Sequence, residues 1–396
     1  MIKTIFDTNF NNKRVLVRVD YNEPITEAGK VGDTTRILES LGTIDKIIDD
    51  GGIPILMSHL GRPKGVRNMK FSLKPVAEYM INYLGYEVIF AKDCIGQPAL
   101  DAIQKAEVGN VVLLENLRFY KEEEKNDLQF AGKLAALADV YVNDAFGTAH
   151  RSHASTAAIA GLFSEKFAGK LLLDEIEYLG KSVTNPQKPF VAILGGAKIS
   201  GKIDVIRNLL DKCDSIIIGG GMMFIFLKAM GYEIGHSIVE ESKIDLAKDL
   251  MAEAKSRNTK LILPVDVVIA DSFSNNANSQ IVKISEFPHD WMGMDIGPET
   301  VKLFSDEILK GKTVVWNGPM GVFEMDKFAA GTFAIGKAMS EATLKGAVTI
   351  VGGGDSISAI TKMNLKQRIT HVSTGGGASL EYLEGKTLPG IAALEV

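Results

Sequence analysis

Cysteine is nearly absent from this sequence: Cys94 and Cys213 are the only two in 396 residues, and neither has a histidine or second cysteine at metal-ligand spacing. That excludes a disulfide framework and a thiolate zinc site, and it fits a reducing compartment. Long apolar runs are missing too. The longest, Ile216 to Leu227, is interrupted by three glycines and is too short to cross a bilayer. The N-terminus, Met1 to Arg14, is polar and lacks the apolar centre of a secretory signal. A cytoplasmic location and no membrane partner are therefore expected. Positive charge is not in excess: 44 Lys and Arg against 49 Asp and Glu leave a net charge of -5. This argues against nonspecific nucleic-acid binding, although a local basic patch can still hold a small anion.

What is present suits two domains. At 396 residues the chain exceeds the size at which one hydrophobic core keeps growing, and 46% hydrophobic residues with a mean hydropathy of +0.09 supply two cores. Short apolar runs alternate with helical periods, the pattern of parallel sheets covered by helices. Val15 to Val19, Ile53 to Met57, Val88 to Phe90, Val111 to Leu114 and Val140 to Val142 read as strands of a first sheet. Val191 to Leu194, Ile216 to Ile218, Leu261 to Pro264, Val267 to Ala270, Val314 to Trp316, Val348 to Val351 and Thr370 to Val372 form a second set. Asp33 or Thr34 can cap a helix whose Ile37, Leu38, Leu41, Ile44, Ile47 and Ile48 recur at the spacing of one buried face. A helix from Lys170 to about Val183 runs into Asn185-Pro-Gln-Lys-Pro189, where two prolines stop it and mark the best domain boundary. The fold class expected is α/β, with two doubly wound parallel-sheet (Rossmann-like) domains joined by an interdomain helix and hinge. The domains run from 1 to 169 and from 190 to 383, with 170 to 189 between them.

The two halves end their strands differently. In parallel α/β sheets ligands sit at the carboxyl ends of strands. In the first half those positions hold Asp20 and Asn22, His59 and Arg62, Arg118, and then His150, Arg151 and His153. Arginine holds carboxylate or phosphate in two parallel hydrogen bonds, and Arg36 at a helix start can join the set. Any one of these arginines taken alone reads as a solvated surface charge; their shared position makes a cationic edge the better reading. Asp20 fits equally a residue that orients the arginines and an ordinary turn residue.

In the second half the runs end in glycine clusters: Ala192 to Gly196, Ile216 to Gly221, Thr349 to Gly354 and Ser373 to Gly377. A strand that runs through glycines into a helix offers bare amides and a positive helix end to phosphate. Gly196 to Ile203 matches a P-loop except at its last position, where Ile203 stands in place of the Mg²⁺-binding hydroxyl. The Walker reading fails there, and what survives is Lys198 and Lys202 near a helix start. Asp355, after the third cluster, suits a hard cation shared with phosphate oxygens and equally suits a helix cap. Glu324, after Trp316-Asn-Gly-Pro319, is available to a ribose hydroxyl.

In their joint order, Arg18-Val-Asp-Tyr-Asn-Glu-Pro24, Ser58-His-Leu-Gly-Arg-Pro63, Leu114-Glu-Asn-Leu-Arg-Phe119, Asn143 to Ser155, Leu194-Gly-Gly-Ala-Lys198, Ile217-Gly-Gly-Gly-Met222, Trp316-Asn-Gly-Pro319, Gly352-Gly-Gly-Asp-Ser356 and Ser373 to Ser379 resemble the phosphoglycerate kinase family over nearly the whole chain. The resemblance implies reversible phosphoryl transfer from 1,3-bisphosphoglycerate to ADP, giving 3-phosphoglycerate and ATP, by a phosphotransferase with a carboxyl-group acceptor. It implies that Asp20, Tyr21, Asn22, Arg36, His59, Leu60, Gly61, Arg62, Arg118 and Arg151 bind phosphoglycerate. Lys202, Gly293, Glu324, Gly353, Gly354, Asp355 and Ser356 are implied to bind ADP or ATP, with Mg²⁺ held at Asp355 largely through nucleotide phosphates. Arg36, Lys198, Gly354 and Gly376 are implied to be catalytic, the protein a monomer, and residues 384 to 396 to return to the first domain. Tyr21 departs from the phenylalanine usual in the family.

Two other functions compete on the residues alone. A dinucleotide-dependent oxidoreductase also needs glycine turns, but no full G-x-G-x-x-G follows a strand here. A two-domain solute-binding protein would explain a hinge and a cationic cleft, but the missing secretory signal and the glycine-rich second edge argue against it. Closure of the two domains about the 170 to 189 region is expected if the substrates bind on opposite sides.

Overall fold

The computed structural model describes residues 2–395; Met1 and Val396, at the ends of the expected first domain and of its returning segment, lie outside the described residues. The chain divides into two compact units. One extends to Glu177 and takes in the segment from Thr387, and the other is Tyr178–Lys386.

In the first unit six strands, β1 (Arg14–Arg18), β2 (Ile53–Met57), β3 (Glu87–Phe90), β4 (Asn110–Leu113), β5 (Val140–Asn143) and β6 (Lys166–Ala168), form one sheet in the order β3-β4-β2-β1-β5-β6. Every pairing is parallel. Arg18 is in register with both Met57 and Asn143, so β1, β2 and β5 end level and their following turns emerge side by side. The central strands β1, β2, β4 and β5 are largely buried on both faces, which is why they read as mostly unbroken apolar runs rather than alternating ones, whereas the edge strand β3 is half-buried. β6 is only three residues long and its Lys-Phe-Ala sequence has no readable period.

Of the helix expected after Asp33, the structure makes two pieces, Thr35–Glu39 and Leu41–Asp49, separated at Ser40. Asp33 rather than Thr34 supplies the cap: its Oδ1 accepts from the Thr35 amide at 2.9 Å, whereas the Thr34 side chain makes no capping bond. Ile37, Ile44 and Ile47 are buried, but Leu38 is 45% exposed, because the break at Ser40 interrupts the single stripe. Ser40 donates to the Ile37 carbonyl and shares a hydrogen bond with the Tyr21 hydroxyl.

The second unit carries β7 (Phe190–Leu194), β8 (Ser215–Ile218), β9 (Lys260–Ile262), β10 (Asp266–Ala270), β11 (Ser279–Lys283), β12 (Met292–Ile296), β13 (Thr313–Asn317), β14 (Val348–Gly352) and β15 (His371–Val372). Six of these form a parallel sheet in the order β15-β14-β13-β7-β8-β9. From β7 the chain winds first toward β9 and then, from β13, toward β15, which puts the topological switch point between β7 and β13. Val267 to Ala270 corrects the sequence reading. It lies in a separate antiparallel sheet, β11-β10-β12, whose partners were invisible because β11 is exposed and polar and β12 contains Gly293. The stretch from Lys170 is helical as expected, with a π-helical segment, Ile176–Gly180, between Lys170–Glu175 and Lys181–Thr184. Among the described residues no helix is long and apolar enough to cross a membrane.

The helix Leu41–Asp49 is held to the first sheet mainly by Ile44 and Ile47, which are fully buried in the core with Phe10, Val15 and Leu56. Ile47→Ala is expected to cost about 2 to 5 kcal/mol by lost burial and a residual cavity. Urea unfolding followed by circular dichroism would register this as a lower midpoint, and an unchanged midpoint would contradict the assigned packing.

Candidate active site

In the first unit the turns after β1, β2, β4 and β5 converge on one imidazole. His59 is 3% exposed, and burial together with Arg18, Arg118, Arg151 and Arg36 holds it well below the ordinary imidazole value, so it is neutral. Three arginines of the expected edge, Arg36, Arg118 and Arg151, thus lie near enough to act on one ring together with Arg18, whereas Arg62 is not among them. Arg36 donates from Nη1 to the Asn22 carbonyl at 2.7 Å, and its amide is held by Glu23 Oε1 at 3.0 Å. Arg118 donates from Nη1 to the Gly61 carbonyl at 2.8 Å and pairs with Glu124 at 3.3 Å. Arg62 is exposed, and neither it nor Arg151 has an ion-pair partner among the described residues. Asn22 Oδ1 accepts from the Gly61 amide at 2.8 Å and so ties the turn after β1 to the turn after β2. Asp20 Oδ1 stands 3.7 Å from His59 Nδ1 and accepts from the Asn22 amide at 3.3 Å.

Two expected ligand residues are committed elsewhere. Tyr21 is fully buried, its hydroxyl is bonded to Ser40 at 2.8 Å and its amide donates to Ser58 at 2.8 Å, so its side chain belongs to the core. Leu60 is buried, and its amide and carbonyl are both taken by the Asn116 side chain. Asn116, which sequence reasoning missed, also accepts from the Arg118 amide at 3.0 Å and donates to the Phe71 carbonyl at 2.8 Å. One amide side chain thus sets three turns.

At the switch point of the second sheet the glycine turns close on one another. Gly196 donates to the Pro319 carbonyl and Gly220 to the Met320 carbonyl, each at 3.0 Å. These amides are therefore taken up in joining turns and are not bare, as the sequence suggested. The joining requires glycine: a Cβ on Gly220, whose φ is +63°, would lie 2.5 Å from the Gly196 nitrogen. Open amides remain where helix geometry leaves them, in the first turns of Gly354–Lys362 and Gly377–Leu383, which come directly after Gly353 and Gly376. Lys202 also departs from expectation. Its Nζ donates to the Gly195 carbonyl at 2.7 Å, the Asn317 carbonyl at 2.7 Å and Asn317 Oδ1 at 2.8 Å, and burial pulls its pKa down to about 8. All three of its protons are committed to the ends of β7 and β13. Lys198, by contrast, is exposed and makes no ion pair among the described residues. Ser356 is buried and accepts from the Gly318 amide at 2.7 Å.

Beside these turns lies a cavity of about 500 Å³. Its lining includes Gly196, Ala197 and Asp355 together with an apolar set, Phe224, Phe273, Met292 and Met294. Gly293 forms part of its wall against the Phe224 ring, and Glu324 is an exposed carboxylate on its lining. Glycine turns and a helix start at Asp355 beside apolar side chains suit the two halves of a nucleotide.

A sequence model of the family described as phosphoglycerate kinase matches residues 5–386. The chain belongs to the phosphoglycerate kinase family. It is 55% identical over 392 residues to phosphoglycerate kinase of Chloroherpeton thalassium, covering 99% of this chain and 98% of that one. It is also 55% identical to the Chlorobium chlorochromatii phosphoglycerate kinase over 392 residues, with 99% of each chain covered. Solved structures agree. Phosphoglycerate kinase from Coxiella burnetii superposes with a TM-score of 0.90 at 41% identity, covering 100% of this chain and 99% of that one. The Pyrococcus horikoshii enzyme gives 0.84 at 32% identity, with 99% and 98% covered. Membership in the family makes the protein a kinase of glycolysis with phosphoglycerate kinase function.

The site geometry leads to two expected outcomes. A Cβ on Gly293 would sit 2.0 Å from Phe224 Cζ, so Gly293→Ala must displace that ring, which lines the cavity. Calorimetric titration with ADP is expected to show about tenfold weaker binding or worse, with 3-phosphoglycerate binding unaltered; unchanged ADP affinity would count against the cavity. His153, buried beside Arg18 and Arg118, has its pKa lowered to about 3. Between about pH 6.5 and that value the unfolded chain carries a proton that the folded one does not, so this group withdraws stability as pH falls through the window. Glu23 and Asp144, raised to about 7 by burial, act with opposite sign, so the variant difference isolates the effect. His153→Gln is expected to lose less stability than the parent between neutral pH and about pH 5, measured by urea unfolding.

Proposed function

We propose that the first unit binds 3-phosphoglycerate or 1,3-bisphosphoglycerate along its cationic edge, and that the second binds ADP or ATP in the cavity beside β7 and β13. The protein then catalyses reversible transfer of the acyl phosphoryl group of 1,3-bisphosphoglycerate to ADP, as a phosphotransferase with a carboxyl-group acceptor. The observation that carries this reading is the presence of two unlike strand-end edges in one chain, arginines acting on His59 in one sheet and a cavity lined by glycines, Asp355 and apolar side chains in the other. We divide the domains for function at 1 to 169 and 190 to 383, with 170 to 189 as linker and 384 to 396 belonging to the first. The protein works as a cytoplasmic monomer.

In the direction of ATP formation, an oxygen of the ADP β-phosphate attacks the acyl phosphorus in line. The bond from phosphorus to the carboxyl oxygen breaks, and 3-phosphoglycerate leaves as a carboxylate. The attacking oxygen is already anionic, so no general base is needed. Catalysis then reduces to positioning and charge stabilisation. Arg62, Arg118 and Arg151 hold the carboxylate and phosphate of the triose, with Asp20, Asn22 and His59 orienting it. Arg36 and Lys198 neutralise charge on the transferred group, and the open amides at Gly354 and Gly376 hold phosphate oxygens. Glu324 takes the ribose, while Gly293 and Gly353 bound the nucleotide. Lys202 and Ser356 serve the nucleotide from beneath, by fixing the turns at Gly195 and Gly318.

Asp355 fits a magnesium ion that is bound mainly by nucleotide phosphates. It is an exposed carboxylate on the cavity lining, at a helix start, and no cluster of three or more metal-binding side chains occurs among the described residues. Bound there, Mg²⁺ would offset phosphate charge.

Because the two substrates belong to different units, transfer requires the units to bring them together, and closure would also keep water from the acyl phosphate. Small-angle scattering is expected to show a smaller radius of gyration with both substrates than with either one; no change would oppose this. In a coupled assay of ATP formation, Arg36→Ala and Lys198→Ala are expected to lower kcat by about a hundredfold or more while changing nucleotide affinity little. Equal losses in kcat and in affinity would remove Lys198 from its catalytic role, and absence of turnover in the parent protein would overturn the proposed reaction.

A further inference from the structure

Arg18 is the one arginine of β1's carboxyl end that the functional reading leaves unused. Its guanidinium is completely buried at the end of β1. Nε donates to Ser155 Oγ at 2.8 Å, Nη1 donates to the Val19 carbonyl, and Nη2 lies 3.3 Å from His59 Nδ1. Ser155 in turn is fixed by a buried carboxylate: its Oγ donates to Glu123 Oε1 at 2.5 Å and its amide to Glu123 Oε2 at 3.0 Å. The Tyr141 hydroxyl holds the Ser155 carbonyl at 2.9 Å. Glu123 and Ser155 are both 0% exposed, so the chain Glu123, Ser155, Arg18, His59 runs wholly inside the first unit until it reaches the imidazole.

The chemistry of this chain is directional. A guanidinium has donors only and stays protonated, so the His59 nitrogen facing Arg18 must offer a lone pair. Asp20, at 3.7 Å from the same nitrogen, is beyond hydrogen-bond reach and does not compete for a proton there. Burial and the surrounding arginines keep the ring neutral, so it carries one proton. We infer that the Glu123–Ser155–Arg18 relay sets the His59 tautomer, placing the proton on Nε2 so that this nitrogen donates to the anionic triose. Among the described residues Nε2 has no hydrogen-bond partner, and it is not one of the fully enclosed unpartnered atoms. Arg18 thus acts as a positioning residue: it does not touch the substrate but decides which face of His59 does the donating. The reverse tautomer would present a lone pair to a carboxylate or phosphate and repel it. The second half of this inference rests on the proposed binding of phosphoglycerate at His59.

Long-range proton–nitrogen correlation on histidine-labelled protein reads the tautomer directly, without substrate. The parent protein is expected to show His59 protonated at Nε2 at neutral pH; a proton at Nδ1 would overturn the inference whatever the variants do. Ser155→Ala removes the acceptor of Arg18 Nε and the link to Glu123. It is expected to admit the second tautomer and to raise KM for 3-phosphoglycerate by about threefold to tenfold, with kcat changed much less. Ser155→Thr, which keeps the hydroxyl, is expected to restore both. A purely structural serine would move neither the tautomer nor the split between KM and kcat, so an unshifted tautomer in Ser155→Ala overturns the relay. A shifted tautomer with unchanged KM would instead overturn the assignment of His59 to the triose.

Discussion

A parallel sheet delivers the residues after every strand to the same edge, and in this chain both six-stranded sheets are parallel throughout. The sheet pairs the backbone of each strand but not the turns beyond it, and those turns emerge level because the registers of β1, β2 and β5, and of β7, β13 and β14, are aligned. The residues just past the strand ends therefore decide the chemistry of each edge. Arginine and histidine occupy those positions in the first unit and glycine in the second. The shared architecture does not itself imply a phosphotransferase; the family match does, and the contrast between the two edges is consistent with it.

Gathering cations has a physical cost that the first unit meets by unequal means. Arg62 is left in water, Arg118 is paired with Glu124, Arg36 is turned onto the Asn22 carbonyl, and Arg18 is buried against a serine backed by Glu123. His59 and His153 meet the same field by staying neutral. Burial raises the Glu123 carboxyl, and Arg18 and Ser155 oppose that rise. A buried charge set of this kind is strongly destabilised by loss of one member, since the others are left uncompensated. In the second unit the constraint is of another kind. There the problem is closeness of backbone, solved by glycines and by Lys202, whose ammonium joins the ends of β7 and β13.

Much of this was legible in the sequence. Val15 to Val19 and Val191 to Leu194 are apolar enough, and bounded sharply enough, to read as buried parallel strands, and that makes the residues just beyond them ligand positions. The unread parts depend on distant partners. Lys202 turns inward because of Asn317, 115 residues further on, so its spacing from Lys198 said nothing of its direction. The antiparallel sheet was missed because β11 is surface-exposed and β12 is weakened by a glycine. Tyr21 lies among ligand residues in the chain but faces Ser40 across the core, since neighbouring residues need not share a face. Arg18 did leave a trace: a charge inside an otherwise apolar strand is costly to bury and needs a partner. Nothing local, however, indicated that Ser155 and His59 would supply the contacts.

We propose that the chain carries two separate ligand edges of unlike chemistry, one for the triose and one for the nucleotide. Backbone amide correlation spectra recorded with one ligand at a time test it most directly. With 3-phosphoglycerate alone, shifts are expected in the amides around Asn22, Gly61 and Arg151, and with ADP and Mg²⁺ alone in those around Gly293, Glu324 and Gly353 to Ser356. Both ligands shifting the same strand-end edge would contradict it.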